Sequence, residues 1–164
     1  MAKKKRSNNT VSLVRKAAAV LASVVTFIFF FLEMITYKIV VKNVFTGEKE
    51  TLSNEGVKVS DFLFNSDYES FREVYGTVNT ILWIVFVLVI AAIVISALAF
   101  VMKKGAIFSK IGACLLVLGM LLMFIVNFDK PENITSYFTN ITALYFVALV
   151  LSIAATASVI TLKD

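Results

Sequence analysis

Four long apolar stretches, at about residues 17–41, 78–102, 106–126 and 141–162, constrain this chain more than any other feature. Each has roughly the 20 residues that a helix rising about 1.5 Å per residue needs to cross a ~30 Å hydrocarbon layer. Backbone placed in lipid must satisfy its own hydrogen bonds, which helices of that length do within each span. The expected fold is an all-α membrane protein, a four-helix up-down bundle formed as one domain by residues 14–164. A hydrophobic content of 59% and a single proline in 164 residues place the chain far from ordinary soluble composition.

The charges are sorted along the chain in a way that predicts orientation. Lys3, Lys4, Lys5, Arg6, Arg15 and Lys16 precede the first stretch, and Lys103, Lys104 and Lys110 flank the short turn between the second and third. The segment from Val41 to Gly76 instead sets Glu48, Glu50, Glu55, Asp61, Asp67, Glu69 and Glu73 against Lys42, Lys49, Lys58 and Arg72. An excess of Lys and Arg in short flanks marks the cytoplasmic side. Both termini are thus expected in the cytoplasm, with residues 42–77 and 127–140 outside a plasma or inner membrane. The net charge of +5 is then a topology signal, with no nucleic acid implied. Residues 1–13 read as a basic cytoplasmic tail, expected to be disordered. The apolar run after it lacks small residues spaced for cleavage after Ala22, so it reads as a retained signal anchor.

Side-chain chemistry is sparse. The chain has no histidine and one cysteine, Cys114, so no intrachain disulfide or thiolate metal cluster can form, and the commonest general base is missing. No catalytic constellation is visible and no cofactor is expected. Cys114, between Ala113 and Leu115, reads as a small apolar residue of the third span, and Trp83 as an interfacial anchor.

Residues 38–77 are the one elaborate hydrophilic region. Tyr37, Ile39 and Val41 favour a strand leaving the first span, with a turn at Thr46–Lys49 and a second strand near Gly56–Val59. The expectation is a small β-hairpin and helix cap. Ser60 and Asp67 read as helix N-caps, and the second of these helices is expected to run on into the second span with a bend at Gly76. Phe62, Phe64, Tyr68, Phe71 and Tyr75 then form either the core of the cap or a partner-binding patch.

Within the spans, Glu33 is the first candidate for function, because an acid in a spanning segment suggests a site. Counted from Ala17 it lies about 24 Å along a helix, near the far interface. It reads as an interfacial carboxylate paired with Lys38 or turned outward, as a hydrogen bond locking the first span to a neighbour, or as a proton or cation site. Small residues recur every four positions at Ala18, Ala22 and Thr26, at Gly105, Ser109 and Ala113, and at Ala148, Ser152 and Thr156. Such faces let helices approach closely in lipid, within one bundle or between proteins. Asn127 and Asn140 are expected to cap the ends of the third and fourth spans. Asn133-Ile134-Thr135 and Asn140-Ile141-Thr142 match the glycosylation tripeptide.

Four spans with a strand after the first resemble the claudin-like group in topology. That group's first outer loop carries tryptophan and paired cysteines, and residues 41–77 contain neither. The resemblance therefore implies no site residues. The expected function is non-enzymatic, with the lipid bilayer as environment and a membrane-protein partner or a second copy as binding target. The protein is expected to act as an accessory subunit or a self-associating bundle. The alternative is a small transporter or channel with Glu33 as coupling carboxylate and Thr26, Ser152 and Thr156 lining its path.

Overall fold

A computed structural model describes residues 2–42, 46, 49–126, 136–138 and 142–163. Four of its helices are long and apolar enough to cross a bilayer, at Thr10–Phe29, Gly76–Leu98, Gly105–Ile125 and Ala143–Ile160, so this is a multi-pass membrane protein by length and composition. They belong to helices α1 (Ala2–Phe29), α4 (Gly76–Leu98), α5 (Gly105–Val126) and α6 (Ala143–Ile160). Between α1 and α4 lie strands β1 (Glu33–Lys42) and β2 (Lys49–Lys58), helix α2 (Val59–Phe64), one 3-10 turn at Ser66–Tyr68 and helix α3 (Glu69–Val74). Strand β3 (Ser136–Phe138) precedes α6.

The helices pack around the bundle in chain order. α1 lies against α4 and α6, α5 lies between α4 and α6, and α1 meets α5 across the centre. The short connection from Ala99 to Lys104 makes α4 and α5 the expected antiparallel hairpin. Arg15 Nη1 donates to Thr161 Oγ1 at 2.9 Å and Lys16 Nζ to the Ala99 carbonyl at 3.3 Å, so one end of the bundle, here the base, carries α1's cations, the α4–α5 turn and the end of α6. The opposite end carries the cap.

The first span departs from expectation. Helix α1 stops at Phe29 and the chain is a strand from Glu33, so the strand expected from Tyr37 begins four residues earlier and takes Glu33 out of the first span. The amides of Phe30, Phe31 and Leu32 reach back only three residues, to the carbonyls of Phe27, Ile28 and Phe29, which tightens and ends the helix. Beyond it Ile35, Thr36, Ile39, Val40 and Val41 are β-branched and favour a pleated strand. At its other end α1 begins at Ala2, where disorder was expected. Ala2 and the lysines after it are good helix formers, and neither Gly nor Pro interrupts the run into the span.

The cap is a three-stranded antiparallel sheet in the order β2-β1-β3, where a hairpin was expected. β1 pairs with β2 from Glu33 opposite Lys58 to Lys42 opposite Lys49, with register breaks between Glu33 and Ile35 and between Ile39 and Val40. β3 adds to the other side of β1, setting Phe138, Tyr137 and Ser136 opposite Tyr37, Lys38 and Ile39. A lone hairpin is marginal in water. Here a third strand and the bundle end support it. The remaining expectations for the loop before α6, namely Pro131 and the tripeptides at Asn133 and Asn140, lie outside the described residues, as do the capping roles of Asn127 and Asn140.

Buried side chains change size along the bundle axis. At the base the core is Ala19, Ala106, Ala113, Val159 and Leu162. Toward the cap it contains Phe30, Met34, Phe62, Leu82, Leu116, Met120 and Tyr145, each fully buried. The helices therefore come closest at the base and leave room for bulky groups near the cap.

Candidate functional site

The cap end holds most of the residues singled out from the sequence, and its construction follows from the early end of α1. From Lys16, whose Nζ reaches the Ala99 carbonyl, the helix rises about 20 Å to Phe29, where the chain turns into the cap. Phe30 and Met34 are wholly buried at the turn, and Phe62 and Leu63 of α2 join the same core. The Ser60 amide donates to the Phe30 carbonyl at 2.9 Å, and the Thr142 amide to the Met34 carbonyl at 3.3 Å. These two bonds tie the end of α1 to α2 on one side and to the start of α6 on the other. Tyr145 then donates its hydroxyl to the Met120 carbonyl at 2.6 Å, joining α6 to α5 inside the core.

The five aromatic candidates divide by position. Phe62 is buried with no exposure and Tyr75 is nearly so, which makes them part of the cap core. Tyr68 is half-buried, its ring 6.1 Å from that of Phe62. Phe64 is 55% exposed and lies edge-on to Trp83 and Phe86, at 5.2 and 5.4 Å between ring centres. Phe64 and Trp83 thus form an aromatic surface beside α4, the kind of amphipathic edge found at membrane interfaces. Phe71 falls in α3, and its side chain lies outside the described residues.

Two local features differ from the N-caps expected at Ser60 and Asp67. α2 starts at Val59, so Ser60 is already helical, and its hydroxyl lies 3.4 Å from the Asp61 carboxylate. Asn65 caps the following turn, its side-chain oxygen accepting from the Asp67 amide at 3.1 Å. The continuous helix expected from Tyr68 onward is broken at Tyr75, one residue before Gly76, where φ −106° and ψ 48° leave the helical region. Arg72 carries no signal in the sequence beyond its charge. Its Nη1 donates to the carbonyls of Phe62 at 2.8 Å and Asn65 at 2.7 Å, so the guanidinium closes the carboxyl end of α2, where a helix presents unpaired carbonyls and partial negative charge. An arginine ten residues after Phe62 is not a recognisable signal in sequence, because the contact depends on the turn at Ser66–Tyr68.

Glu33 is corrected in position. It is the exposed first residue of β1 and lies in no spanning helix. Its carboxylate lies over Gly56, where an added Cβ would collide with it, so the glycine accommodates Glu33 at the start of the hairpin. The side chain of Lys38, its expected partner, lies outside the described residues. The hydroxyl candidates are elsewhere. Ser152 is buried and donates to the Leu149 carbonyl at 2.7 Å, while Thr156 lies in the base half and donates to Ala113 of α5 at 3.2 Å and to Ser152 of its own helix at 3.0 Å. Thr26 is buried, and its hydroxyl has no hydrogen-bond partner among the described residues. The structure does not assemble Glu33 with Ser152 and Thr156: the acid is exposed at the cap end, and the hydroxyls are engaged with backbone inside the bundle.

The small-residue faces are used within the chain. Ser109 and Ala113 are fully buried, as are Ala148 and Ser152. α4 and α5 cross closely at Gly112, which lies off the four-residue spacing: a Cβ there would meet the Ser96 hydroxyl and come within 2.9 Å of the Ala92 carbonyl. Cys114, the next residue but one, is exposed on the outside of α5. Among the described residues no group of acids and thiols is arranged to hold a metal ion. No protein-family model matches the chain, and no curated protein or solved structure is significantly similar to it.

Proposed function

We propose that this protein acts without catalysis as an accessory subunit of a membrane complex, recruiting a protein partner through its cap. The observation that carries this reading is the free side of β2. In the order β2-β1-β3, among the described residues, no strand pairs with the far edge of the ten-residue strand Lys49–Lys58. An edge of that length presents unpaired N–H and C=O groups that an extended segment of a partner can join as a further strand. Lys49, Glu50, Glu55 and Lys58 along it give the charge that discourages indiscriminate pairing and favours a complementary partner.

The membrane arrangement that accompanies this reading is a plasma or inner membrane with both termini cytoplasmic and the cap outside. Its support is the sorted charge, with Arg15, Lys16, Lys103 and Lys104 near the base. Burial of Ser109, Ala113, Ala148 and Ser152 on the small-residue faces of α5 and α6 favours a partner at the cap over self-association through those spans.

Photocrosslinking from single positions in intact cells tests the reading. A crosslinking side chain at Thr51 or Ser53 is expected to capture one defined partner, and Thr51→Pro, which removes a strand donor, is expected to abolish capture from Ser53 while the protein still reaches the membrane. Capture only from lipid-facing positions such as Val87, together with a monomer that brings no partner through mild detergent, contradicts the proposal.

A further inference from the structure

The lower half of the α1–α6 seam holds a second recognition feature. A groove of about 330 Å³ runs between these helices, lined by Ala18, Ala22 and Val25 on one side and by Leu151, Ala154 and Ser158 on the other. It opens to the outside of the bundle, where Leu21 at its edge is 62% exposed. About one turn below Ala18 and Ser158, Arg15 bridges the same two helices by donating from Nη1 to Thr161 Oγ1 at 2.9 Å. Lys163 is exposed just beyond Thr161. An apolar channel that ends in cations at the base of the bundle has the two halves of a lipid site.

We infer that this groove holds one acyl chain of an anionic glycerophospholipid, whose phosphate is bound by Arg15 and Lys163. The apolar walls select the chain, since an unfilled groove facing hydrocarbon would forfeit the dispersion contacts of its lining. The guanidinium holds the phosphate, since it carries five N–H donors in a planar fork and the Thr161 bond leaves donors for it, and the two cations together favour a headgroup of net negative charge over one that carries its own ammonium. Cations at the edge of a membrane attract anionic headgroups by about 1 kcal/mol each. Lys16 is directed elsewhere, to the Ala99 carbonyl. Charge also argues against a second copy of this chain in the groove, because a two-fold contact along the α1–α6 seam would bring the Arg15 and Lys163 of both copies to the same depth.

Native mass spectrometry of the full chain, released from detergent after incubation with dioleoylphosphatidylglycerol or dioleoylphosphatidylcholine, tests the inference. One phosphatidylglycerol should be retained about thirtyfold more than phosphatidylcholine, in line with two cations near the headgroup. Arg15→Gln should remove that preference, and Lys163→Gln should reduce it in a helix-end position where folding is least at risk. Ala154→Leu, which fills the groove from an exposed position, should lower retention of both lipids without changing the melting temperature in detergent. Equal retention of the two lipids by the unaltered chain overturns the inference. So does unchanged retention in Ala154→Leu, or a dimer that crosslinks through a cysteine at Leu21 in a Cys114→Ser background.

Discussion

The base and the cap end of the bundle pack the same four helices in different ways. At the base, Ala19, Ala106 and Ala113 form the core, and α4 and α5 touch backbone to side chain at Gly112. Seven residues further along α5, about two turns, a Cβ on Gly119 would find its nearest neighbour at 3.5 Å, the Leu88 side chain. The helices separate toward the cap, and Phe30, Met34, Phe62 and Tyr145 fill the space. In lipid the close approach of small residues supplies association that the hydrophobic effect does not. The cap end adds a three-stranded sheet to that packing, so α1 ends early and the chain pairs as a strand from within the apolar stretch.

This contrast predicts where substitutions hurt. The largest effect is expected at Phe62, whose ring is fully buried between α2 and the bundle: Phe62→Ala should cost about 3–5 kcal/mol by unfolding in detergent, and should expose the Ser60–Phe30 junction to proteolysis. A loss below about 1 kcal/mol would mean that the cap is not part of the bundle core. Next comes the base, where Gly112→Val forces backbone apart at Ala92 and Ser96 and should cost about 1–3 kcal/mol, whereas Gly119→Ala makes ordinary contact and should be close to neutral. Equal losses at the two glycines would remove the taper. Tyr145→Phe should follow at about 0.5–1.5 kcal/mol, the value of one buried hydrogen bond, here to Met120. Smallest is Glu33→Gln, an exposed change expected to stay within about 0.5 kcal/mol.

Much of the base was legible in the sequence, and much of the cap was not. Hydropathy marked three spans to within a few residues, and the Lys103-Lys104-Gly105 turn implied the α4–α5 hairpin, because each of these signals is local. The first apolar stretch misled because continuous apolar character does not distinguish a helix from a buried strand. The aromatic and β-branched residues from Tyr37 to Val41 did indicate a strand, but its start at Glu33 lies four residues earlier, so Glu33 belongs to the strand and not to the span. Val57 and Gly56 did indicate β2, although the strand begins well before them, at Lys49. Strand β3 was invisible because Ser136–Phe138 pairs with residues about a hundred positions earlier. Arg72 and Gly112 went unnoticed for the same reason: the carbonyls that Arg72 closes and the helix that Gly112 meets come together only in the folded chain.

The change from helix to strand between Phe29 and Glu33 builds the cap and presents the β2 edge. In a Cys114→Ser background, single cysteines carrying a nitroxide label at each position from Thr26 to Lys42 can be read for access to oxygen and to a water-soluble relaxation agent in bilayers. The expected result is a 3.6-residue period that stops at Phe29, then alternation with a period of two from Ile35. An unbroken 3.6-residue period through Val41 would contradict it, returning Glu33 to a spanning helix and removing the sheet on which the proposed partner site rests.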